Sequence, residues 1–211
     1  NAKGGKIRPD SIIIHYTAGP SGQGTVNLFK RSNIVVSAHL VLHEDGTVTQ
    51  MVDFDHRANH AGRSSYGGRS GFNQFSIGIE ISNPGYLSKN PHGEGYVTWW
   101  EARKDNPKPV DPSVVVEGQH RNSNVMMRHW HKYTDEQIES TKKICQALVD
   151  AYDIKYILGH EEIAPKRKTD PGPAFPLDEL RKEILGENMG DVETEEDLAA
   201  APLEPPVTDK R

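Results

Sequence analysis

The chain has 211 residues, 35% hydrophobic and 26% charged, which suits one ordinary domain with a sizeable core. Its net charge of −5 is unevenly spread: from Gly186 onward eight acidic and two basic residues carry −6, leaving +1 for residues 1–185. That near-neutral body excludes the strongly basic face of a nucleic-acid binder, and no apolar run is long enough to span a bilayer.

In chain order, the opening NAKGGKIRPD lacks the apolar core of a signal peptide, so none is expected in this chain. SIIIHYTAG, 11–19, is a β-branched run ending in histidine and then small residues, a buried strand that feeds a loop. TVNLFKRSN, 25–33, has Val26, Phe29 and Lys30 at helical spacing and reads as a short helix. SAHLVLHEDGTVTQMVD, 37–53, is two strand-like runs around Glu44-Asp45-Gly46, and Asp-Gly favours the left-handed conformations a hairpin turn requires. FSIGIEIS, 75–82, alternates apolar with small or polar residues, another strand. Residues 83–130 are rich in Gly, Pro and Asn with little periodicity. They read as a long insertion, and segments that long are usually functional or mobile.

TDEQIESTKKICQALVDAY, 134–152, is the clearest helix. Thr134 and Gln137 make a capping box, and Ile138, Ile144, Cys145, Leu148, Val149 and Tyr152 share one face. Cys145 is the only cysteine; it has no partner for an internal disulfide and reads as an inert small hydrophobe on that face. KYILGH, 155–160, is a buried strand again ending in histidine, and PLDELRKEIL, 176–185, a closing helix that begins with proline. Residues 186–211 are acidic and proline-bearing, the composition of a disordered or loosely attached tail. The fold class is therefore α/β: a single domain over 1–185 with a mixed central β-sheet flanked by helices. Strands that each end in a polar residue place a site at one edge of that sheet.

Most of the ten histidines are ordinary. His43, His56 and His92 sit in turn-like or polar contexts and read as surface residues. His129 and His131 would face one side of a strand, but no third ligand stands near them. His15 and His160 differ, because each ends an apolar strand where a side chain is held rigidly yet opens toward a loop. Either one alone reads as a hydrogen-bonded core histidine. Together with Asp170, ten positions after His160, they form a two-histidine, one-carboxylate set, and three protein ligands with a free fourth position are what a catalytic zinc needs.

These residues fall in segments that, taken in order, resemble the zinc-dependent N-acetylmuramoyl-L-alanine amidases of the second type. That family includes AmpD-like amidases, phage amidase lysozymes and animal peptidoglycan recognition proteins. The resemblance runs through IIIHYTAG, SAHLVLHEDGTVTQMV, NHAG, NQFSIGIEI and LGHEEIAPKRKTDPGPAF, covering nearly all of 11–185. It implies zinc ligands at His15, His160 and Asp170, a general acid/base at Glu80, and a basic oxyanion partner at Lys168. Physical chemistry fits each role: Glu80 on a strand facing the metal can move a proton, and Lys168, two residues before Asp170, can oppose charge on a tetrahedral oxyanion.

His39 and His60 are expected as groove residues that meet substrate. In the loop 159–176, Glu161 and Glu162 are read as capping or flanking a turn. Lys166 and Arg167 are read either as partners for substrate carboxylates or as a solvated face. Ala38 stands where the phage lysozymes have tyrosine, which with Glu80 puts the chain nearer the AmpD-like branch. Asn59 stands where many members have tryptophan, and Trp99 and Trp100 are candidates to replace that platform. The single cysteine argues against the animal branch. The implied activity is hydrolysis of the amide between N-acetylmuramic acid and L-alanine in peptidoglycan or muropeptides, by a monomer with Zn2+, at the cell envelope or delivered by a phage. The alternative is a non-catalytic peptidoglycan-binding module on the same fold.

Overall fold

The computed structural model describes residues 4–186; from residue 187 on, the acidic segment expected to be a tail lies outside the described residues. In chain order the elements are β1 (Ser11–Tyr16), α1 (Gly22–Phe29), β2 (Leu40–Leu42), β3 (Val48–Gln50), β4 (Ser65–Tyr66), β5 (Arg69–Ser70), β6 (Ser76–Ile81), β7 (Ser88–Lys89), β8 (Tyr96–Val97), β9 (Val115–Glu117), β10 (His129–His131), α2 (Asp135–Ala151), β11 (Tyr156–Gly159), α3 (His160–Ile163) and α4 (Leu177–Leu185).

The central sheet has the order β11-β1-β6-β2-β3. The first four strands are parallel and β3 is an antiparallel edge, turned back from β2 around Gly46, whose φ is 80°. This is the mixed sheet expected from the sequence. Side chains alternate between its faces. Ile12, Ile14 and Tyr16 of β1, Ile77, Ile79 and Ile81 of β6, and Leu40 and Leu42 of β2 pack on one face against Cys145 and Leu148 of α2 and Leu180 of α4. On the other face Ile13 and Leu158 meet Ala61, Phe72 and Ile163, and Val41 meets Val26 and Phe29 of α1. Covering both faces explains why the parallel strands read as continuous apolar runs, and burying each such side chain contributes about 1.5–3 kcal/mol.

Helix α2 starts as expected: Thr134 Oγ accepts from Gln137 N at 3.1 Å, and Gln137 Oε1 accepts from Thr134 N at 3.1 Å. The Gln137 amide also donates to Ser82 O at 2.7 Å, fixing the helix start to the end of β6. Cys145 lies in the core, where burial pushes its thiol up to about 12. Helix α1 begins three residues before its expected start, capped by Ser21, and ends at Phe29. Gly22 and Gly24 in its first turn mask it, since glycine is a poor helix former. Gly22 is needed there because a Cβ would come within 2.6 Å of the His43 ring.

The insertion is not a plain loop. It folds into the β7–β8 and β9–β10 hairpins, whose strands of two or three residues are too short to show a period. Trp130 of β10 is 1% exposed, and its indole N–H donates to Gly118 O at 3.0 Å. His129 and His131 do lie on one strand, but His129 stacks on and bonds to Tyr96, and His131 turns to Lys132 O. Among the described residues no helix is long and apolar enough to cross a membrane.

Candidate active site

Strand parity assembles the site. β1 and β6 pair in parallel so that His15 lies beside Glu80, one residue before each strand ends. Their neighbours Ile14, Tyr16, Ile79 and Ile81 face α2, so His15 and Glu80 share the opposite face. β11 flanks β1 on its other side and ends at Gly159, and the next residue, His160, opens the single turn of α3. Asp170 returns from the following loop, held by the Glu161 N–H, which donates to Asp170 O at 2.8 Å.

His15 Nδ1, His160 Nδ1 and Asp170 Oδ2 lie 2.9 Å from one another, a triangle of three ligand atoms from far-separated parts of the chain. All three residues are buried. His160 Nε2 is 3.0 Å from Ala61 O. A carbonyl only accepts, so Nε2 carries a proton, and in the neutral imidazole Nδ1 is then a bare lone pair. Burial pushes the Asp170 carboxyl up, but the imidazoles of His15 and His160 beside it hold it well below the usual carboxylate range. A bare nitrogen and an ionised carboxylate oxygen thus face each other, with at most one proton, on His15, to share between them. This set of two imidazoles and one carboxylate fits a single zinc ion better than it fits any arrangement of hydrogen bonds. A second group, Asp53, Asp55 and His56, is partly exposed, and its ordinary ion pairs explain it: His56 with Asp55 at 2.6 Å, Lys6 with Asp55 at 3.5 Å.

Glu80 is pushed up to about 8, chiefly by burial, then by the Asp170 charge, against the pull of Lys168. The carboxyl therefore exchanges a proton near neutral pH, as a general acid/base requires. His15 is lowered to about 4, first by burial and then by His160, with Lys168 adding to the effect. Lys168 is close enough to act electrostatically on both His15 and Glu80.

The two histidines expected in a groove are placed elsewhere. His39 is fully buried; its Nε2 donates to His56 O at 2.9 Å and its Nδ1 accepts from Gly78 N at 2.9 Å, so both nitrogens are committed to backbone. His60 is 6% exposed and stands behind His15, with its Nδ1 2.9 Å from His15 Nε2. Trp99 donates its indole N–H to Ala18 O at 2.8 Å, in the loop that follows the His15 strand. Trp100 meets it edge-on, and Arg103 lies over its ring. The insertion thus sets two half-buried tryptophans against the loop that follows β1.

In the loop 159–176, Glu161 is no turn-flanking charge. It is 2% exposed, with Oε2 2.6 Å from His120 Nε2 and Oε1 2.8 Å from Arg121 Nε, both from the insertion. Glu162 does cap, accepting from Gly159 N at 2.7 Å, and also pairs with Arg121 and Arg181. Arg167 gives its guanidinium to Ala61 O and Arg63 O rather than to open solvent. His120, Arg121 and Ala61 were not singled out by the sequence. His120 stood in a segment without periodicity, and a backbone carbonyl leaves no signal in side-chain identity.

A family model described as N-acetylmuramoyl-L-alanine amidase matches residues 5–173. The 1,6-anhydro-N-acetylmuramyl-L-alanine amidase AmpD of Escherichia coli (strain K12) is 36% identical over 186 residues, covering 79% of this chain and 78% of that protein. The N-acetylmuramoyl-L-alanine amidase AmiD of the same organism is 26% identical, covering 83% of this chain and 53% of AmiD. Among solved structures, a selenomethionine derivative of AmpD aligns with a TM-score of 0.51 and 26% identity over 84% of this chain and 85% of that one. AmiD from E. coli, in complex with anhydro-N-acetylmuramic acid-L-Ala-D-gamma-Glu-L-Lys, aligns with a TM-score of 0.60 and 23% identity over 87% and 60%, a likeness of fold.

Proposed function

The chain belongs to the N-acetylmuramoyl-L-alanine amidase family, and on that premise we propose that it is a zinc enzyme that cleaves the amide between N-acetylmuramic acid and L-alanine in soluble 1,6-anhydro muropeptides. The observation that carries the reading is the triangle of His15, His160 and Asp170 with Glu80 in register beside His15 on the same sheet face. The anhydro form is favoured because the relative that is 36% identical bears that substrate in its name.

His15, His160 and Asp170 would hold the ion. Bound zinc supplies Lewis acidity, polarising the scissile carbonyl and lowering the pKa of water to about 7. Glu80 takes the proton of the attacking water and delivers it to the alanine nitrogen as the amide breaks, so that the amine leaves neutral. Lys168 brings its ammonium to the side of the oxyanion that forms at the carbonyl oxygen. Trp100, edge-on to Trp99, offers a face on which a sugar or stem peptide can rest. A binding module without turnover would have no use for a half-buried carboxyl set in register beside His15 on the face that carries the metal set.

The test is to incubate the protein with intact sacculi and with soluble anhydro muropeptides and identify products by mass. Release of the free stem peptide from the soluble substrate, abolished by chelation and restored by zinc, is expected. Full activity in a metal-free His15→Ala, His160→Ala double variant would overturn the mechanism. The remaining expectations, a monomer located at the cell envelope or delivered by a phage, are tested by sedimentation and by fractionation of the native source.

A further inference from the structure

We propose that His60 is a positioning residue: through the series Ser76, His60, His15 it fixes which nitrogen of His15 is bare toward His160 and Asp170. The inference rests on the metal-site reading above. Ser76 Oγ lies 2.5 Å from Phe72 O. The carbonyl can only accept, so the single hydroxyl proton is committed to it. The same Oγ lies 3.3 Å from His60 Nε2 and is left only to accept, so His60 carries its proton on Nε2. A neutral imidazole has one N–H, so His60 Nδ1 is bare, and its 2.9 Å contact with His15 Nε2 places a proton on that nitrogen of His15. His15 Nδ1 is then the bare one, and it is the atom 2.9 Å from His160 Nδ1 and from Asp170 Oδ2.

The surroundings of His60 are built to keep it in place. Its ring lies on Gly78, where a Cβ would come within 2.4 Å of Cγ. Asn73 Oδ1 accepts from the backbone N–H groups of His60 and Ala61 at 3.0 and 2.8 Å, pinning the turn. That turn serves both histidine ligands: the side chain of His60 sets the proton on His15, and the carbonyl of Ala61 sets the proton on His160. A two-residue segment thus turns two lone pairs toward one point.

The experiment uses the full chain and three variants, His60→Leu, His60→Asn and Ser76→Ala. Two readouts are taken on each: zinc affinity by competition with a chromogenic chelator, and imidazole 15N shifts of the chelator-treated protein. In the wild type the shifts are expected to show His15 protonated on Nε2 and bare on Nδ1. His60→Leu should weaken zinc about 10–100-fold while the melting transition stays cooperative. His60→Asn, whose carbonyl oxygen can stand in for the Nδ1 acceptor, should recover most of that loss. Ser76→Ala should leave His15 as a mixture of tautomers with a smaller loss of affinity. A wild-type His15 bare on Nε2 overturns the proposal, and so does a folded His60→Leu variant that binds zinc as tightly as the wild type. If His60→Leu does not fold, the other two variants decide by the same readouts. If the wild type binds no zinc, the metal reading fails by itself, and the 15N shifts still judge the series.

Discussion

Glu161→Ala tests whether the insertion holds the Asp170 loop. The carboxylate is 2% exposed and takes three donors: His120 Nε2 at 2.6 Å, Arg121 Nε at 2.8 Å and Gly172 N at 3.1 Å. Arg121 loses least on truncation, because it keeps Glu162 and Asp178 as partners. The His120 ring is fully buried, and its Nε2 would be left with a 3.3 Å contact to Thr169 O while its Nδ1 keeps the Asn122 N–H, and the Gly172 N–H would lose its acceptor. Hydrogen bonds to a charged group are worth about 1.5–3 kcal/mol each, and breaking a buried pair from one side costs about 3–5 kcal/mol. We expect that range for Glu161→Ala, which for a chain of this size lowers Tm by roughly 6–20 °C. Guanidinium and thermal unfolding, both with chelator present, measure it. Glu161→Gln keeps the volume and one acceptor and should lose less. A loss below about 1 kcal/mol, the worth of a surface ion pair, would refute the reasoning.

Glu80→Gln should lower kcat by about 10²–10⁴ while zinc content is unchanged, and loss of zinc instead would make Glu80 a structural support of the site. The same variant gives a pH signature in the metal-free protein. Glu80 is raised from 4.5 to about 8 on folding, so the folded state binds the extra proton between those values and stability falls as pH rises through them. The unfolding free energy of Glu80→Gln should match the wild type near pH 4 and exceed it near pH 9, by an amount on the order of a few kcal/mol; a pH-independent gap would contradict the raised carboxyl. Lys168→Ala should lower kcat about 100-fold with KM little changed, as measured by steady-state kinetics, whereas a rise in KM alone would assign it to ground-state binding. Removing residues 187–211 should leave kcat and Tm unchanged, because every residue of the site lies between His15 and Asp170; an inactive truncation would move the domain boundary.

What the sequence made legible follows from how each residue is used. His15, Glu80 and His160 are readable because strand alternation fixes their face once the strands are recognised, and the apolar runs around them are unambiguous. The capping box of α2 is readable because it is local, set by Thr134 and Gln137 alone. His60 and His39 were recognised as part of the site's surroundings but given to substrate. A histidine's two nitrogens carry no mark of whether they face water, a backbone carbonyl or another histidine, and only the fold decides that. Glu161 was misread for the opposite reason. In a tight loop a carboxylate reads as capping or flanking the turn, and its partners His120 and Arg121 lie about 40 positions earlier, in a segment whose short strands hide their pairing.

The two misread groups act on the same object from opposite sides. Zinc ligands must be brought together whether or not the ion is there, and in the tautomers proposed above no proton lies between two nitrogens and a carboxylate at 2.9 Å. Something has to hold them in that arrangement. On one side the turn at His60 and Ala61, itself pinned by Asn73, holds the two histidines through their outer nitrogens. On the other, Glu161 binds the insertion through its side chain and Asp170 through its own N–H, so the carboxylate ligand is fixed to His120 and Arg121. Gly172 completes that side, lying against Trp130 so closely that a Cβ would come within 2.9 Å of the indole. The insertion therefore supports the proposed metal site, which accounts for a tryptophan and a histidine of that segment being buried beneath the loop that carries Asp170.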